Sequence, residues 1–298
     1  MSSINSFETI NPALIDVFFQ EHTGYPDELR VQDTRDVLRD VCGAATRDFP
    51  QSMWIEPRDW PDRARQNDQC NGWAMNYIDR YTNQNPTHEC TCHSLRANFE
   101  AAWNRQRAIA AGPPEAGVRK PLSERSSSVW VSPLSVYAEA NPRQWGGANV
   151  QQVLEIAVRR GMLPEPIQPK PYKFAHTLHG TTGQGGINQA KGGWVSVSRF
   201  AEGWQATAKH FRPAEVIFPD SYEQAICLLL NGIAVSVGRN GHAVPWASWN
   251  ATSRVCAYPD SYDVTRYDSE RTARYAWQGS FAIVSTTIPD DWDNPAPV

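Results

Sequence analysis

No stretch of this 298-residue chain holds 18 or more consecutive apolar residues, so no segment reads as a membrane-spanning helix. Positive charge is not in surplus: 28 Lys and Arg stand against 32 Asp and Glu, a formal net charge of −4 with a pI near 6.0. A partner held mainly through phosphate contacts, such as a nucleic acid, is therefore not expected. Lysine is scarce, with only Lys120, Lys170, Lys173, Lys191 and Lys209 among the basic residues. Met1 to Glu8 has neither the basic start nor the apolar core of a signal peptide, so export by a leader is not expected. The six cysteines (Cys42, Cys70, Cys90, Cys92, Cys227 and Cys256) are too dispersed for a disulfide-stapled scaffold, and free thiols are the expectation. No internal repeat with a period of 20–50 residues is visible.

What is present is an ordinary globular composition, 41% hydrophobic and 20% charged, which excludes wholesale disorder. Twelve Trp point to large packed cores or stacking surfaces. Hydrophobic periodicity changes along the chain. Asn11-Pro12 opens a helix carrying Leu14, Ile15, Val17, Phe18 and Phe19, and Asp33 can cap a second one with Val37, Leu38 and Val41. A Pro- and Trp-rich loop spans Trp54 to Pro61. Trp73, Tyr77 and Tyr81 stand at i, i+4 and i+8, the spacing of a helix face. Residues 84–128 look inserted: they hold a Cys/His knot, one helix from Leu95 to Ala110 and a Pro/Gly/Ser-rich stretch. Helices are expected from Ser132-Pro133 through Tyr137, from Val150 to Arg159 ending at Gly161, and from Tyr222 to Leu230. Strands are expected at Ile233–Val237, His242–Val244, Arg254–Tyr258 and Ser280–Val284. Helices first and strands later predict an α+β fold.

Several separated segments occur in a telling order. Trp60 and the run Gln66-Asn-Asp-Gln-Cys-Asn-Gly-Trp-Ala74 resemble the papain-family stretch in which a Gln, a nucleophilic Cys six residues later and Trp-Ala open the central helix. Val131-Ser-Pro-Leu134, Trp145-Gly-Gly147, Arg160-Gly-Met-Leu-Pro-Glu165 and Pro169-Lys-Pro-Tyr172 resemble successive landmarks of that family. Leu230 to Val237, followed by Gly241-His-Ala-Val244, resembles its catalytic His segment, and Tyr258-Pro-Asp-Ser-Tyr262 stands where it has Asn-Ser-Trp. The resemblance covers roughly residues 54–284. It implies a two-lobed papain-like fold: an N-terminal helical extension at 1–53, a helical lobe at 54–172 with the insertion at 84–128, and a β-rich lobe with a C-terminal tail at 173–298.

The same resemblance assigns roles. Gln66 becomes the oxyanion-stabilising Gln, His242 the general base and Asp260 the residue that orients it. At the nucleophile position, six residues after Gln66 and one before Trp73, stands Gly72, which has no side chain to attack with. Cys70 is the nearest thiol, two residues upstream, a displacement larger than near-attack geometry tolerates. The expectation is a catalytically inactive papain-like module, a structural or protein-binding component of a larger assembly; a bacteriophage particle is one such setting. The alternative is an active cysteine peptidase or amide hydrolase using Cys70, His242 and Asp260. Protein partners or self-assembly, and a location in the cytoplasm or in a particle, go with the first reading.

Other candidate sites read weakly. His88-Glu-Cys-Thr-Cys-His93 offers zinc-type ligands at His88, Cys90, Cys92 and His93, but Cys-x-Cys is tighter than structural zinc spacing, and an inserted loop is the simpler account. The Gly-rich run Gly180 to Gly193 lacks the Gly-Lys-Ser/Thr of a phosphate loop. No cofactor is expected. The tryptophans after His242 (Trp246, Trp249 and Trp277) are expected to pack a core or a cleft wall.

Overall fold

The computed structural model describes residues 45–78, 89–110, 130–140, 148–165, 204–239, 242–261, 264–277 and 280–287. In chain order the described elements are β1 (Ala45–Arg47), α1 (Trp60–Cys70), a 3-10 turn (Ala74–Tyr77), α2 (Cys90–Ala110), β2 (Trp130–Val131), α3 (Pro133–Ala140), α4 (Val150–Arg160) and β3 (Pro164–Glu165). They continue with α5 (Trp204–Ala208), β4 (Arg212–Ile217), α6 (Tyr222–Leu230), β5 (Val235–Arg239), β6 (His242–Trp246), β7 (Ser248–Asn250), β8 (Val255–Asp260), β9 (Val264–Ser269), α7 (Glu270–Ala276) and β10 (Ala282–Thr287). The mixture of helix and mostly antiparallel strand is an α+β fold. No described helix is long and apolar enough to cross a membrane.

Local chemistry explains many element ends. Asn149 caps α4, its side-chain oxygen accepting from the Gln151 N–H at 2.8 Å. Gly161 ends that helix at φ 83°, a conformation open to glycine, and a Cβ there would run into the Ala208 carbonyl. Ser221 caps α6 and Ser269 caps α7 in the same manner.

Helix α2 is the organising element. Every residue from Cys90 to Asn104 is buried, whereas a surface helix buries one stripe. It packs against α3, α4, β6 and β10. Its apolar residues Cys92, Leu95, Phe99 and Trp103 join α3, α4, β4 and β10 in one core cluster. A second cluster gathers α1, α6, β5, β6, β8 and α7 around Trp246 and Tyr258. Ala97 and Ala101 of α2 contact a third, smaller cluster with Tyr77 and Ala234.

Two expectations about organisation change accordingly. Residues 90–110 are not a peripheral insertion: the helix they form runs through the middle of the molecule. The division at 172/173 is not a division of cores, because the first cluster mixes helices from residues 90–160 with strands from 212–287. The described end of the expected extension, Ala45–Arg47, pairs in parallel with Glu215–Ile217 of β4, while β10 pairs antiparallel on its other side. The extension helices expected before residue 45 lie outside the described residues, as does the Gly-rich run at 180–193.

The helix expected at Trp73–Tyr81 also differs. The helical segment is α1, and it stops where Asn71 adopts φ 53°; only a 3-10 turn follows at Ala74–Tyr77. The helices at 133–140, 150–160 and 222–230 and the strands near 235, 242, 255 and 282 fall within a few residues of their expected places. Strand β9 and helix α7 were not legible in the sequence. Apolar positions in β9 are few, because one face is solvated.

Burying α2 requires its polar groups to be satisfied. Arg96 donates from Nη1 to Glu100 Oε2 at 2.6 Å, and the Val131 N–H donates to Glu100 Oε1 at 3.1 Å. Asn98 donates to Ser236 Oγ at 2.8 Å, and Ser94 shares a 2.8 Å hydrogen bond with the same hydroxyl. Asn104 donates to the Tyr77 carbonyl at 2.8 Å. The Arg96–Glu100 pair is at most 2% exposed, so Arg96→Ala strips a buried carboxylate of its cation and is expected to cost about 3–5 kcal/mol. Urea denaturation checks this, and a loss below about 1 kcal/mol would contradict it.

Candidate active site

Three elements converge at the head of α2. Cys90 is the first residue of this 21-residue helix, where unpaired N–H groups and the helix dipole place positive potential. His242 opens β6 and Asp260 closes β8. The hairpin β5–β6 brings β6 against α2, and the Ala243 N–H donates to the Cys90 sulfur at 3.5 Å. The His242 ring shares a 3.1 Å hydrogen bond from Nε2 with Asp260 Oδ1. The ring also hydrogen-bonds with the Cys90 thiol. Asp260 is 1% exposed and His242 is 25% exposed, so solvent reaches the ring and not the carboxylate.

The electrostatics follow from this packing. Burial pulls the His242 pKa down, but hydrogen bonds to Asp260 and Cys90, with the negative charge on both, outweigh it and raise the pKa from 6.5 to about 9. At neutral pH the ring is an imidazolium.

Cys92, two residues on, sits in a different setting. Successive helical residues rotate by about 100°, so Cys90 and Cys92 face opposite sides of α2. Cys92 is fully buried in the first core cluster, and burial, together with the Glu89 charge, pushes its pKa well up. The zinc-ligand reading of this segment loses its geometry for the same reason. Cys90 faces His242, Cys92 faces the apolar core, and His93 lies 3.7 Å from Glu89 Oε1. His88 lies outside the described residues. Among the described residues no group of three potential ligands is assembled, and all described cysteines are free thiols.

The remaining sequence candidates stand apart from this cluster. Gln66 is exposed on α1, where its Oε1 accepts from Arg63 Nη1 at 2.7 Å. It lines an open depression with Ile55, Asp59, Asp62, Arg63 and Asn231. Cys70 is the last residue of α1, at a helix C-terminus and not at the head of a helix. No hydrogen bond or ion pair of Gln66 or Cys70 among the described residues runs to His242 or Asp260. Gly72 is tightly surrounded. A Cβ there would stand 2.5 Å from Asn67 Oδ1, and Asn67 is buried with its amide donating to the Leu230 carbonyl at 2.9 Å. The glycine is packed closely against the Asn67 and Cys70 side chains at the end of α1.

Cys90 was not among the sequence's catalytic candidates, although a signal for it exists. Gln84 precedes Cys90 by six residues, the spacing that the Gln66 alignment used without finding a cysteine at its end. The dipeptide Trp73-Ala74 drew the alignment upstream; after Cys90 stands Thr91 instead. Gln84 lies outside the described residues.

Comparison with known proteins adds little to this geometry. No family model matches the chain, and no curated protein does. Among solved structures, the chain is similar to xylellain, a cysteine protease from Xylella fastidiosa, with 12% identity over 69% of this chain and 82% of that one and a TM-score of 0.45. At that TM-score the likeness carries no weight for the site, which rests on the contacts above.

Two outcomes follow. The His242 ring, followed by NMR and assigned by loss of its signals in His242→Gln, is expected to titrate near pH 9. Asp260→Asn moves the midpoint down; a wild-type midpoint at or below 6.5 would refute the proton location. Because the folded pKa is the higher one, the stability contributed by this contact is complete below about pH 6.5 and is lost as pH rises through about 9. Separately, Gly72→Ala is expected to destabilise the protein by about 1–3 kcal/mol through overpacking. Thermal denaturation measures it, and an unchanged melting temperature would show that Asn67 yields freely.

Proposed function

We propose that this protein is a cysteine-nucleophile hydrolase of amide or peptide bonds, with a papain-like arrangement in which Cys90 attacks, His242 transfers the proton and Asp260 orients His242. The observation that carries the proposal is the single cluster formed by Cys90 at a buried helix N-terminus, the His242 ring hydrogen-bonded to it, and Asp260 3.1 Å from the other side of that ring.

The chemistry is that of a thiolate–imidazolium pair. The Cys90 sulfur adds to the carbonyl carbon, and the negative charge passes to the carbonyl oxygen. The backbone N–H groups of the first turn of α2 lack intrahelical acceptors and are suited to hold that oxygen. The His242 imidazolium gives its proton to the leaving amine as the carbon–nitrogen bond breaks, leaving a thioester and a neutral imidazole. The imidazole then removes a proton from water, hydroxide adds to the thioester, and the acid departs as the sulfur leaves with its electron pair. Asp260 stays ionised throughout, fixing the ring plane. By spacing alone, Gln84 replaces Gln66 as the residue to which the family resemblance gives the second oxyanion donor.

The inactive-module reading drew on Gly72 at the position six after Gln66 and on the lack of a leader or propeptide pattern; the Cys90–His242–Asp260 cluster supports the active reading instead. A role in an assembly or particle drew on the N-terminal helices, and no described contact bears on it.

Cys90→Ser is expected to lower hydrolysis of denatured casein or of peptide amides by on the order of 10⁶, while Cys70→Ser leaves the rate unchanged. A thiol-reactive epoxide, followed by peptide mapping, is expected to modify Cys90 ahead of Cys70. Preferential modification of Cys70, or hydrolysis that survives Cys90→Ser, would overturn the assignment.

A further inference from the structure

The register of the β5–β6 hairpin leaves one backbone donor of β6 aimed at the reacting sulfur. Ser236 exchanges both of its backbone hydrogen bonds with Phe281, its N–H donating at 2.8 Å and its carbonyl accepting at 3.1 Å. It therefore gives neither to Pro245, the residue opposite it on β6. Pro245 has no N–H to give, and a strand keeps proline where the ladder needs no donor. Antiparallel pairs alternate between hydrogen-bonded and non-hydrogen-bonded. Val237 and Val244 are accordingly a bonded pair, and Gly238 and Ala243, one step further, turn their backbone groups outward as Ser236 and Pro245 do. On that outer side β6 packs against α2, and the Ala243 N–H ends on Cys90 Sγ at 3.5 Å. Cys90 is 8% exposed and Ala243 is 4% exposed, so the contact is enclosed.

Resting on the Cys90 reading, the geometry points to the backbone N–H of Ala243 as a catalytic group that takes up the charge on sulfur when the thioester breaks. In that step hydroxide has added to the thioester carbon, and the proton that water lost is on His242. The carbon–sulfur bond breaks, its electron pair goes to Cys90 Sγ, and the charge on the former carbonyl oxygen reforms the double bond of the departing acid. Sulfur passes from a thioester, a weak acceptor, to an anion, a strong one. A donor already fixed beside it gains most in that passage, which lowers the barrier to deacylation. At so enclosed an atom solvent is a poor substitute for it. The His242 ring also bonds the sulfur, but it is shared with Asp260 and carries protons through the cycle. The strand N–H does neither.

Replacing the His242–Ala243 amide by an ester, with lactic acid placed at position 243 by nonsense suppression, removes this N–H and adds no bulk. The matching ester at position 244 removes a ladder hydrogen bond instead. The acyl enzyme formed from a stoichiometric para-nitrophenyl ester of a blocked amino acid is quenched in acid at successive times. Its decay by intact mass reads thioester hydrolysis alone, whatever fraction of the sample is active. The ester at 243 is expected to slow that decay by about tenfold, the worth of one hydrogen bond to a charged atom. The ester at 244 is expected to lower the melting temperature and leave the decay within about twofold of wild type. A second measurement keeps the backbone intact: exchange of the Ala243 amide hydrogen is expected to be about tenfold faster in Cys90→Ala than in wild type, with Val244 unchanged. Decay unaltered by the ester at 243, an equal slowing by the ester at 244, or Ala243 exchange that ignores Cys90→Ala overturns this inference alone. A wild type in which no acyl group forms on Cys90 overturns the catalytic reading and this inference with it.

Discussion

The burial of α2 is the constraint on which the rest of the molecule depends. A helix that touches protein on every side for its first fifteen residues, from Cys90 to Asn104, has no freedom to tilt or slide, because each displacement would open voids in close-packed clusters on more than one flank. Its N-terminus is consequently a fixed point in space. Strand β6 is pressed against that point, and the N–H of Ala243 reaches the sulfur of Cys90. The geometry of the cluster is therefore a by-product of core packing, and the pieces that complete it, His242 and Asp260, come from strand ends held by their own ladders.

Polar chemistry inside the helix serves the same end. A continuous apolar helix would bury more favourably per unit area, yet α2 carries Ser94, Arg96, Asn98, Glu100 and Asn104 in buried positions, with partners on β2, β5 and the 3-10 turn. Hydrogen bonds are directional and hydrophobic contacts are not. The network therefore sets the rotation and register of α2, and with them which thiol of the Cys90/Cys92 pair faces the imidazole and which enters the core.

At the other end of the site the electrostatic logic is a chain of alternating charge: the His242 imidazolium, the Asp260 carboxylate and the Arg266 guanidinium. Each member is placed where its neighbour lowers the cost of its charge. That cost is highest for Asp260, the least exposed of the three groups beyond the sulfur. The arrangement accounts for an imidazole that stays protonated well past its ordinary range despite its burial.

Periodicity and punctuation were enough to mark helices at 133–140, 150–160 and 222–230 and the strands around His242 and Asp260, because caps, glycine stops and apolar spacing are local properties. Resemblance to a known order of segments, and not local pattern, set His242 and Asp260 apart as partners. Cys90, the nucleophile proposed above, was not legible by the same route. Gln66, Cys70 and Gly72 lay beside a persuasive Trp-Ala pair, whereas the segment around Cys90 read as a polar Cys/His loop. A helix buried by three separate parts of the chain loses the one-sided pattern that identifies it locally. Residue types and spacing determined which side chains were available for chemistry. Only the tertiary structure decided which of them meet, since bringing Cys90 to His242 joins positions more than 150 residues apart through core packing that no single segment encodes.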